Sequence, residues 1–410
     1  MQKITVLIIG VHYPEPKSTG AGVRMLQLLK LLKANGFDLH FATASQKTEF
    51  SLDIKALGIK EHHIELNSSR LDLLLKTLDP KVVVFDRFIT EEQFGWKVDE
   101  VSPKALKILD TEDLHFLREE RELKLKGKLE PDNFLSDKAI RELSAMYRCD
   151  LNLIISKFEF ELLKGKYAFP EVNMHYLPFL VERDPTHTIK RFSERQHFVS
   201  IGNYRHKPNL DMVVYTSKNI WPFIKDKLPN AEWHIYGAYM PSSIQQLNSP
   251  KKGILVKGRT KEAVPTLGRY KLMLAYLRFG AGLKQKCIDA MAAGTPICTT
   301  AIGAEGLTID HEFAGSIEDS IDGFIDKVTW LHTDEAAWEE KQANGFSILD
   351  STFSPNLHSK KAVERINDYV SRLDKLRSEN LFGQLLKHNL FKSTKYMSLW
   401  IQEKNKNRLD

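Results

Sequence analysis

A glycine-rich turn followed by basic and acidic side chains is the clearest chemical signal in this sequence. Residues 278–296 read Arg-Phe-Gly-Ala-Gly-Leu-Lys-Gln-Lys-Cys-Ile-Asp-Ala-Met-Ala-Ala-Gly-Thr-Pro. Gly280 and Gly282 follow an apolar run and precede a predicted helix, where backbone amides and the positive helix end attract anions. Arg278 and Lys284 add positive charge, so the turn is a candidate site for a diphosphate.

An acidic residue in the same segment is a candidate ribose ligand. Asp289 lies about two turns into the predicted helix. There its carboxylate can accept hydrogen bonds from both hydroxyls of a ribose. The alternative is that Lys284 or Lys286 satisfies this carboxylate on the helix itself.

A second glycine pair lies near the start of the chain. Gly20 and Gly22 separate an apolar run from a predicted helix, and Arg24 stands in the first turn of that helix. All three are candidates for binding a phosphate, with a plain turn and a surface arginine as alternatives. A dinucleotide fingerprint requires a third glycine where Met25 stands, which disfavours a nicotinamide enzyme.

Asp113 and His115 follow the apolar run 105–109, at the carboxyl end of a predicted strand. An imidazole at that edge can donate a hydrogen bond to a sugar hydroxyl or exchange a proton near neutral pH. The alternatives are that Asp113 caps a helix and that His115 is a surface or core histidine.

The elements that position these residues alternate between short apolar strands and helices. One series runs from residues 4–9 to 151–155, and a second runs from 197–201 to 296–299. This alternation predicts an α/β fold with two doubly wound, Rossmann-like domains that face each other across a cleft. The predicted segments are an N-terminal acceptor-side domain (1–180), a linker (181–195), a C-terminal nucleotide-sugar domain (196–355), a terminal helix that packs back on the first domain (356–380) and a basic amphipathic tail (381–410).

Composition excludes several classes of protein. The 410 residues are 42% hydrophobic and 27% charged, which excludes disordered and collagen-like chains. A net charge of +6 is small for this length and disfavours a nucleic-acid binder. Three cysteines without a CxxC pair predict neither a disulfide framework nor a zinc site and favour a reducing cytoplasm. The sequence predicts no signal peptide and no membrane-spanning helix.

The tail combines basic and aromatic residues. Residues 381–410 contain six basic and two acidic side chains, with Phe382 and Trp400 among the aromatics. This mixture is typical of an interfacial helix on anionic lipid, so the tail is a candidate for peripheral contact with the inner face of the membrane. A helix packed on the protein and a partner-binding tail are the alternatives.

The segment 278–307 resembles the nucleotide-sugar site of retaining glycosyltransferases of the GT-B fold, family 4 (glycosyl transferases group 1), in their Gly-Ala-Gly subgroup. The shared pattern is a Gly-Ala-Gly turn, a Lys, and an acidic residue before Ala-Met-Ala-x-Gly-x-Pro. Further similar stretches are Gly202-Asn203-Tyr204 with Lys207-Pro208-Asn209, residues 256–259, and residues 14–24.

The resemblance implies transfer of a sugar from a nucleotide diphosphate sugar to a glycan or lipid-linked acceptor, with retention and without a metal ion or cofactor. It makes Arg205, Lys207 and Lys284 candidates for stabilising the leaving diphosphate. It places His115 and Asp113 on the acceptor side of the sugar. The donor loop would contain Ala304, Glu305 and Gly306. Cell-surface polysaccharide assembly is the expectation from the family.

Two positions depart from the common family pattern, which has two glutamates spaced eight apart. Those positions here are Ala281 and Asp289. The first change removes a carboxylate that usually contacts the donor sugar, and the second shortens the arm that reaches the ribose. These changes keep open two alternatives, a non-catalytic GT-B-like partner subunit and a nucleotide-sugar epimerase.

Overall fold

A computed structural model describes residues 3–128, 135–184, 188–308 and 311–406. The strands of the first domain are β1 (Thr5–Gly10), β2 (Asp38–Thr43), β3 (Lys60–His63), β4 (Val82–Asp86), β5 (Leu106–Asp110), β6 (Leu151–Ile154) and β7 (Met174–Tyr176). Its helices are α1 (Gly20–Ala34), α2 (Arg70–Leu78), α3 (Arg87–Val101), α4 (His115–Leu125), α5 (Asp137–Arg148) and α6 (Lys157–Gly165).

The second domain repeats this alternation. Its strands are β8 (Gln196–Asn203), β9 (Trp233–Ala238), β10 (Ile254–Gly258), β11 (Tyr270–Ala275), β12 (Ile297–Thr299) and β13 (Gly315–Ile317). Its helices are α7 (Lys207–Asn219), α8 (Trp221–Lys227), α9 (Ser242–Gln245), α10 (Ala263–Leu267), α11 (Gln285–Ala292), α12 (Ala301–Ala304), α13 (Ile321–Thr333) and α14 (Glu335–Ile348). Three more helices follow in the described part of the chain: α15 (Pro355–Ser371), α16 (Leu373–Glu379) and α17 (Leu381–Lys406).

Both sheets are parallel and doubly wound, which confirms the predicted fold class. The first sheet has the order β3-β2-β1-β4-β5-β6-β7, and the second has the order β10-β9-β8-β11-β12-β13. Each order reverses beside the first strand of its domain, between β1 and β4 and between β8 and β11. Parallel sheets bind ligands at such a reversal, outside the carboxyl ends of the strands.

The strands are apolar because both faces of each sheet are covered. In β1, Val6 and Ile8 belong to one hydrophobic core, whereas Leu7 and Ile9 belong to the core on the opposite face. Successive side chains of a strand point to opposite faces, so a continuous apolar run is what a doubly covered strand requires.

The chain crosses between the domains twice, at adjacent places. The amide of Val181 donates to the carbonyl of Phe353 at 2.8 Å, and Arg183 pairs with Asp350 at 2.7 Å. After the second crossing, α15 buries Ala362, Ile366 and Tyr369 in the core of the first domain, and α17 contacts α5 and α3. Residues 185–187 of the predicted linker and 407–410 of the tail lie outside the described residues. Among the described helices, none is long and apolar enough to cross a membrane.

Candidate active site between the two domains

A cleft of about 940 Å³ lies between the carboxyl ends of the two sheets. The loops that follow β1, β5, β8 and β11 all contribute to its walls. Nine of the residues predicted from the sequence line it: Gly20, Gly22, Asp113, His115, Arg205, Gly280, Gly282, Lys284 and Asp289. The cleft therefore joins motifs that lie more than two hundred residues apart in the chain.

The N-terminal glycines bring the start of α1 close to the start of α11. The Thr19 side chain caps α1 by accepting from the amide of Gly22 at 2.9 Å. A Cβ at Gly22 would collide with the backbone of Glu15, so this loop requires glycine there. A Cβ at Gly20 would lie 3.2 Å from Cβ of Gln285, the first residue of α11. Two positive helix ends thus meet in the cleft.

The turn after β11 holds Lys284 in a buried position. Gly282 has φ +65°, a conformation that glycine adopts without strain. The Lys284 ammonium donates to the carbonyl of Gly282 at 2.7 Å. Burial lowers the pKa of Lys284, while the carboxylates of Glu305 and Glu159 act in the opposite direction. The side-chain nitrogen of Lys284 therefore lies at the amino end of α11.

Asp289 is half-buried in the cleft wall, and its partner is neither Lys284 nor Lys286. The side-chain amide of Gln285 donates to Oδ1 of Asp289 at 2.7 Å, one helical turn away. Burial raises the pKa of Asp289 to about 7, although the hydrogen bond from Gln285 lowers it. A carboxyl group with this pKa gains stabilisation from any ligand that donates hydrogen bonds to its ionised form.

His115 is held by a carboxylate that the sequence did not mark as functional. Glu142 Oε1 lies 3.1 Å from both the backbone amide and Nδ1 of His115. This leaves Nε2 on the side of Asp113, whose Oδ1 lies 3.8 Å away. Burial would raise the pKa of Asp113, but Arg118 and His115 hold it well below its usual value. Asp113 is thus an ionised acceptor at the cleft. It does not cap α4, because the residue directly before that helix is Leu114.

Two predicted arginines do not line the cleft. Arg24 is 3% exposed and donates from Nε to Asp110 at 2.7 Å. Arg278 pairs with Asp211 at 2.9 Å and lies 3.8 Å above the ring of Tyr215. In this structure each guanidinium pairs with a carboxylate of its own domain, and neither lines the cleft where an anion contact was expected.

Lys207 and the loop 304–306 also lie outside the cleft, at contacts between the domains. Lys207 is 73% exposed and lies 3.4 Å from Oε1 of Glu122. Arg121 of α4 donates to both carboxylate oxygens of Glu305, at 2.6 and 2.7 Å, and to the carbonyl of Gly280 at 2.7 Å.

Gly306 packs against the first domain, whereas Ala304 belongs to the hydrophobic core of the second. A Cβ at Gly306 would collide with the Ser156 side chain, and Ala304 is 8% exposed. In this arrangement Glu305 and Gly306 therefore contact the first domain, where a donor-sugar contact was expected.

Sequence reasoning did not assign functions to Glu142, Glu159 or Arg121. A partial signal exists for Glu142, since α5 buries Ala139, Glu142 and Ala145 on one face. A carboxylate at such a position requires a partner, because buried charges are costly when they are unpaired. Arg121 binds Glu305 and Gly280 of the second domain. Glu159 binds Gly282 of that domain as well as Leu114 of its own. No local pattern can indicate the contacts between the domains.

Within the described residues, no group of three or more His, Cys, Asp or Glu side chains is arranged to hold a metal ion.

Solved structures that are similar to this one share its fold at low sequence identity. TarM of S. aureus, as a mutant in complex with fondaparinux, α-GlcNAc-glycerol and UDP, matches with a TM-score of 0.69 and 11% identity over 88% of this chain and 99% of that one. The sucrose-phosphate synthase of Thermosynechococcus elongatus matches with a TM-score of 0.66 and 12% identity over 90% of this chain and 100% of that one. HepE of Anabaena, in complex with UDP and glucose, matches with a TM-score of 0.64 and 10% identity over 88% of this chain and 99% of that one.

The sequence comparisons agree with this likeness over the second domain. No curated protein matches the chain. Residues 195–334 match the family model described as glycosyl transferases group 1, a range that contains the turn after β11 and the whole of α11. The family match over the second domain and the GT-B fold of both domains indicate a glycosyltransferase.

Proposed function

We propose that this protein transfers a sugar from a nucleotide diphosphate sugar to a glycan or lipid-linked acceptor, with retention at the anomeric carbon and without a metal ion. The observation that carries the proposal is the meeting of the α1 and α11 helix ends in the cleft, at Gly20 and Gln285. The amides of a first helical turn have no partner within the helix and bind phosphate oxygens.

The leaving diphosphate is the centre of the proposed chemistry. Negative charge develops on it as the glycosidic bond breaks, so prearranged donors at that place lower the barrier. The two helix ends supply backbone amides, and Lys284 supplies a charge held by the carbonyl of Gly282. Arg205 lines the same cleft, with its guanidinium 3.6 Å from the ring centre of Tyr239.

Asp289 is the proposed ribose ligand. Its carboxyl group lines the cleft and has one hydrogen bond, from the side chain of Gln285. The crystal structures of TarM and HepE contain UDP, which favours a uridine diphosphate sugar as the first donor to test.

His115 and Asp113 are proposed to position the transferred sugar from the side of the first domain. With Nδ1 held by Glu142, the remaining nitrogen of His115 is available to bond a sugar hydroxyl. We assign it no role as a general base, because retention by attack on the face of the leaving group needs no protein base. The acceptor hydroxyl can pass its proton to the departing phosphate oxygen.

Thermal unfolding against a panel of nucleotide sugars tests the donor site. UDP-, GDP-, ADP-, CMP- and dTDP-sugars are each added with EDTA or with Mg²⁺, to wild type, Asp289→Ala, Lys284→Ala and the control Arg278→Ala. We expect the sugars of one nucleotide to stabilise wild type and Arg278→Ala in EDTA. The same sugars should not stabilise Asp289→Ala or Lys284→Ala. Stabilisation that requires Mg²⁺ would refute metal independence, and no stabilisation by any sugar would refute the donor site.

The bound donor then tests the reaction itself. NMR of the product formed with candidate glycan and lipid-linked acceptors reports the anomeric configuration, which we expect to equal that of the donor. An inverted product would overturn the retaining mechanism. Conversion of the donor into another nucleotide sugar without an acceptor would identify an epimerase.

A further inference from the structure

Helix α17 presents an apolar face to solvent. Its exposed apolar side chains include Phe382, Leu385, Tyr396, Met397, Leu399 and Trp400, each between 40% and 64% exposed. At 100° per residue these positions fall within one sector of about 160° around the helix axis. A helix on a globular protein normally turns such a sector toward the core.

The opposite side of α17 is turned toward the protein and has small and polar residues beside the half-buried Ile401. Gly383 and Ser398 are buried there, and the ammonium of Lys387 lies 3.9 Å from Oδ1 of Asp99 on α3. Lys395 pairs with Glu100, which also lies on α3. Charged and polar contacts therefore fix the orientation of α17. Its apolar sector is largely exposed among the described residues, and at its start the ring of Phe382 lies 5.8 Å from the ring of Tyr147 on α5.

We propose that this apolar sector docks on an anionic lipid surface, with α17 lying in the plane of the interface. Residues 381–406 carry five lysines and one glutamate, so the helix is cationic, and two of these lysines, Lys387 and Lys395, pair with Asp99 and Glu100 on α3. The Lys404 ammonium lies 5.0 Å from the ring centre of Trp400, where an inserted indole would leave the cation at headgroup depth. Trp and Tyr side chains also favour this interfacial region.

Charge distinguishes a lipid surface from a second copy of the chain. A symmetric dimer through this sector would bring two cationic helices together, and juxtaposed like charges oppose association. Anionic lipid complements the same charge, with each nearby lysine adding to the attraction. The observations therefore favour the lipid surface.

The location of α17 relates docking to the proposed function. Helix α17 packs on α5, and Glu142 of α5 holds His115 at the cleft. The acceptor side of the cleft would then lie one helix layer from the lipid, within reach of a lipid-linked acceptor. This consequence rests on the proposed function, whereas docking itself does not.

Vesicle flotation of the full chain tests docking. Neutral phosphatidylcholine vesicles are compared with vesicles containing 30 mol% phosphatidylglycerol, a composition of about one anionic lipid in three. The test variant is Tyr396→Ser with Trp400→Ser. The control is Trp330→Ser on α13, since Trp330 is likewise exposed, at 40%, and has the Lys327 ammonium 5.1 Å from its ring centre.

We expect wild type and Trp330→Ser to float with the anionic vesicles and to be released by salt. The double variant should bind at least about 10-fold more weakly, because two inserted aromatic side chains are lost. Equal thermal unfolding of both variants shows that the fold is intact. Absence of wild-type binding, or unchanged binding of the double variant, would overturn the proposal.

Two further outcomes separate docking from its alternatives. Sedimentation that reveals a dimer of wild type, lost in the double variant, would assign the face to a second copy and overturn lipid docking. Nucleotide-sugar binding is measured separately by thermal unfolding. A failure of donor binding with intact flotation would refute the proposed function and leave docking in place.

Discussion

The Oε1 atom of Glu159 in the first domain lies 2.8 Å from the backbone amide of Gly282 in the second. The same oxygen accepts from the amide of Leu114 at 3.1 Å. One carboxylate thus joins the start of α4, which carries His115, to the turn that carries Lys284. Glu159 is 1% exposed, and burial, with the nearby charge of Asp113, raises its pKa to about 7.

The first prediction concerns the acceptor atom of Glu159. Glu159→Ala leaves two buried amides unpaired in the closed arrangement, which costs about 2 kcal/mol and shifts closure about 30-fold toward an open form. Glu159→Gln keeps an oxygen that accepts both bonds and should remain closed. Small-angle scattering checks this through a larger radius of gyration for the alanine variant alone. Equal radii for all three proteins would contradict the assignment.

The second prediction is a pH dependence of stability. The pKa of Glu159 is about 7 in the folded protein and about 4.3 when unfolded, so the folded state binds more protons between these values. The free energy of unfolding should therefore fall as pH rises from about 4 to 7, by up to about 3 kcal/mol from this group. Urea unfolding at four pH values should show a shallower fall for Glu159→Gln. The same slope of stability against pH in Glu159→Gln and wild type would refute the assignment of this pH dependence to Glu159.

The third prediction compares two arginines that both stack on tyrosine rings. Arg205 lines the cleft, whereas Arg278 pairs with Asp211 outside it. Arg205→Ala should weaken nucleotide-sugar binding about 10-fold or more, as expected for a lost hydrogen bond to a charged phosphate. Arg278→Ala should leave affinity within about 2-fold and cost about 1 kcal/mol of stability. Titration calorimetry measures the nucleotide-sugar affinity of both variants. A larger loss of affinity in Arg278→Ala than in Arg205→Ala would place the diphosphate site near Arg278.

The fourth prediction concerns the pH dependence of donor binding. Burial raises the pKa of Asp289 to about 7, and ribose hydroxyls donate to the ionised carboxylate. Affinity for the nucleotide should therefore rise as pH increases through 7. Asp289→Asn should bind about 10- to 100-fold more weakly at pH 8 and lose this dependence. A variant that keeps the wild-type pH profile would place the titrating group elsewhere.

The central strands are predictable from the sequence because burial on both faces imposes continuous apolar runs. The edge strand β3 consists of Lys60, Glu61, His62 and His63, whose polar character gives no such signal. The edge strands β7 and β13 have three residues each, too few to show a period. These edges form only because a neighbouring strand is already in place.

The glycine turns of the site are similarly local, so Gly20, Gly22, Gly280 and Gly282 are found from composition and order alone. The partners of the basic residues are not local. Arg24 meets Asp110 at a separation of 86 residues, and Arg278 meets Asp211 at a separation of 67. Which arginine remains available for an anion is decided by such tertiary pairs, and only the folded structure shows it.

The return of α15 to the first domain has a consequence for synthesis on the ribosome. The core beneath β1 requires Ala362, Ile366 and Tyr369, which are translated after the whole second domain. At about 5–20 residues per second, the nascent first domain waits roughly 10–40 seconds for them after β7. An uncovered apolar face therefore accompanies every growing chain, and premature termination before α15 yields a polypeptide that chaperones and proteases will recognise.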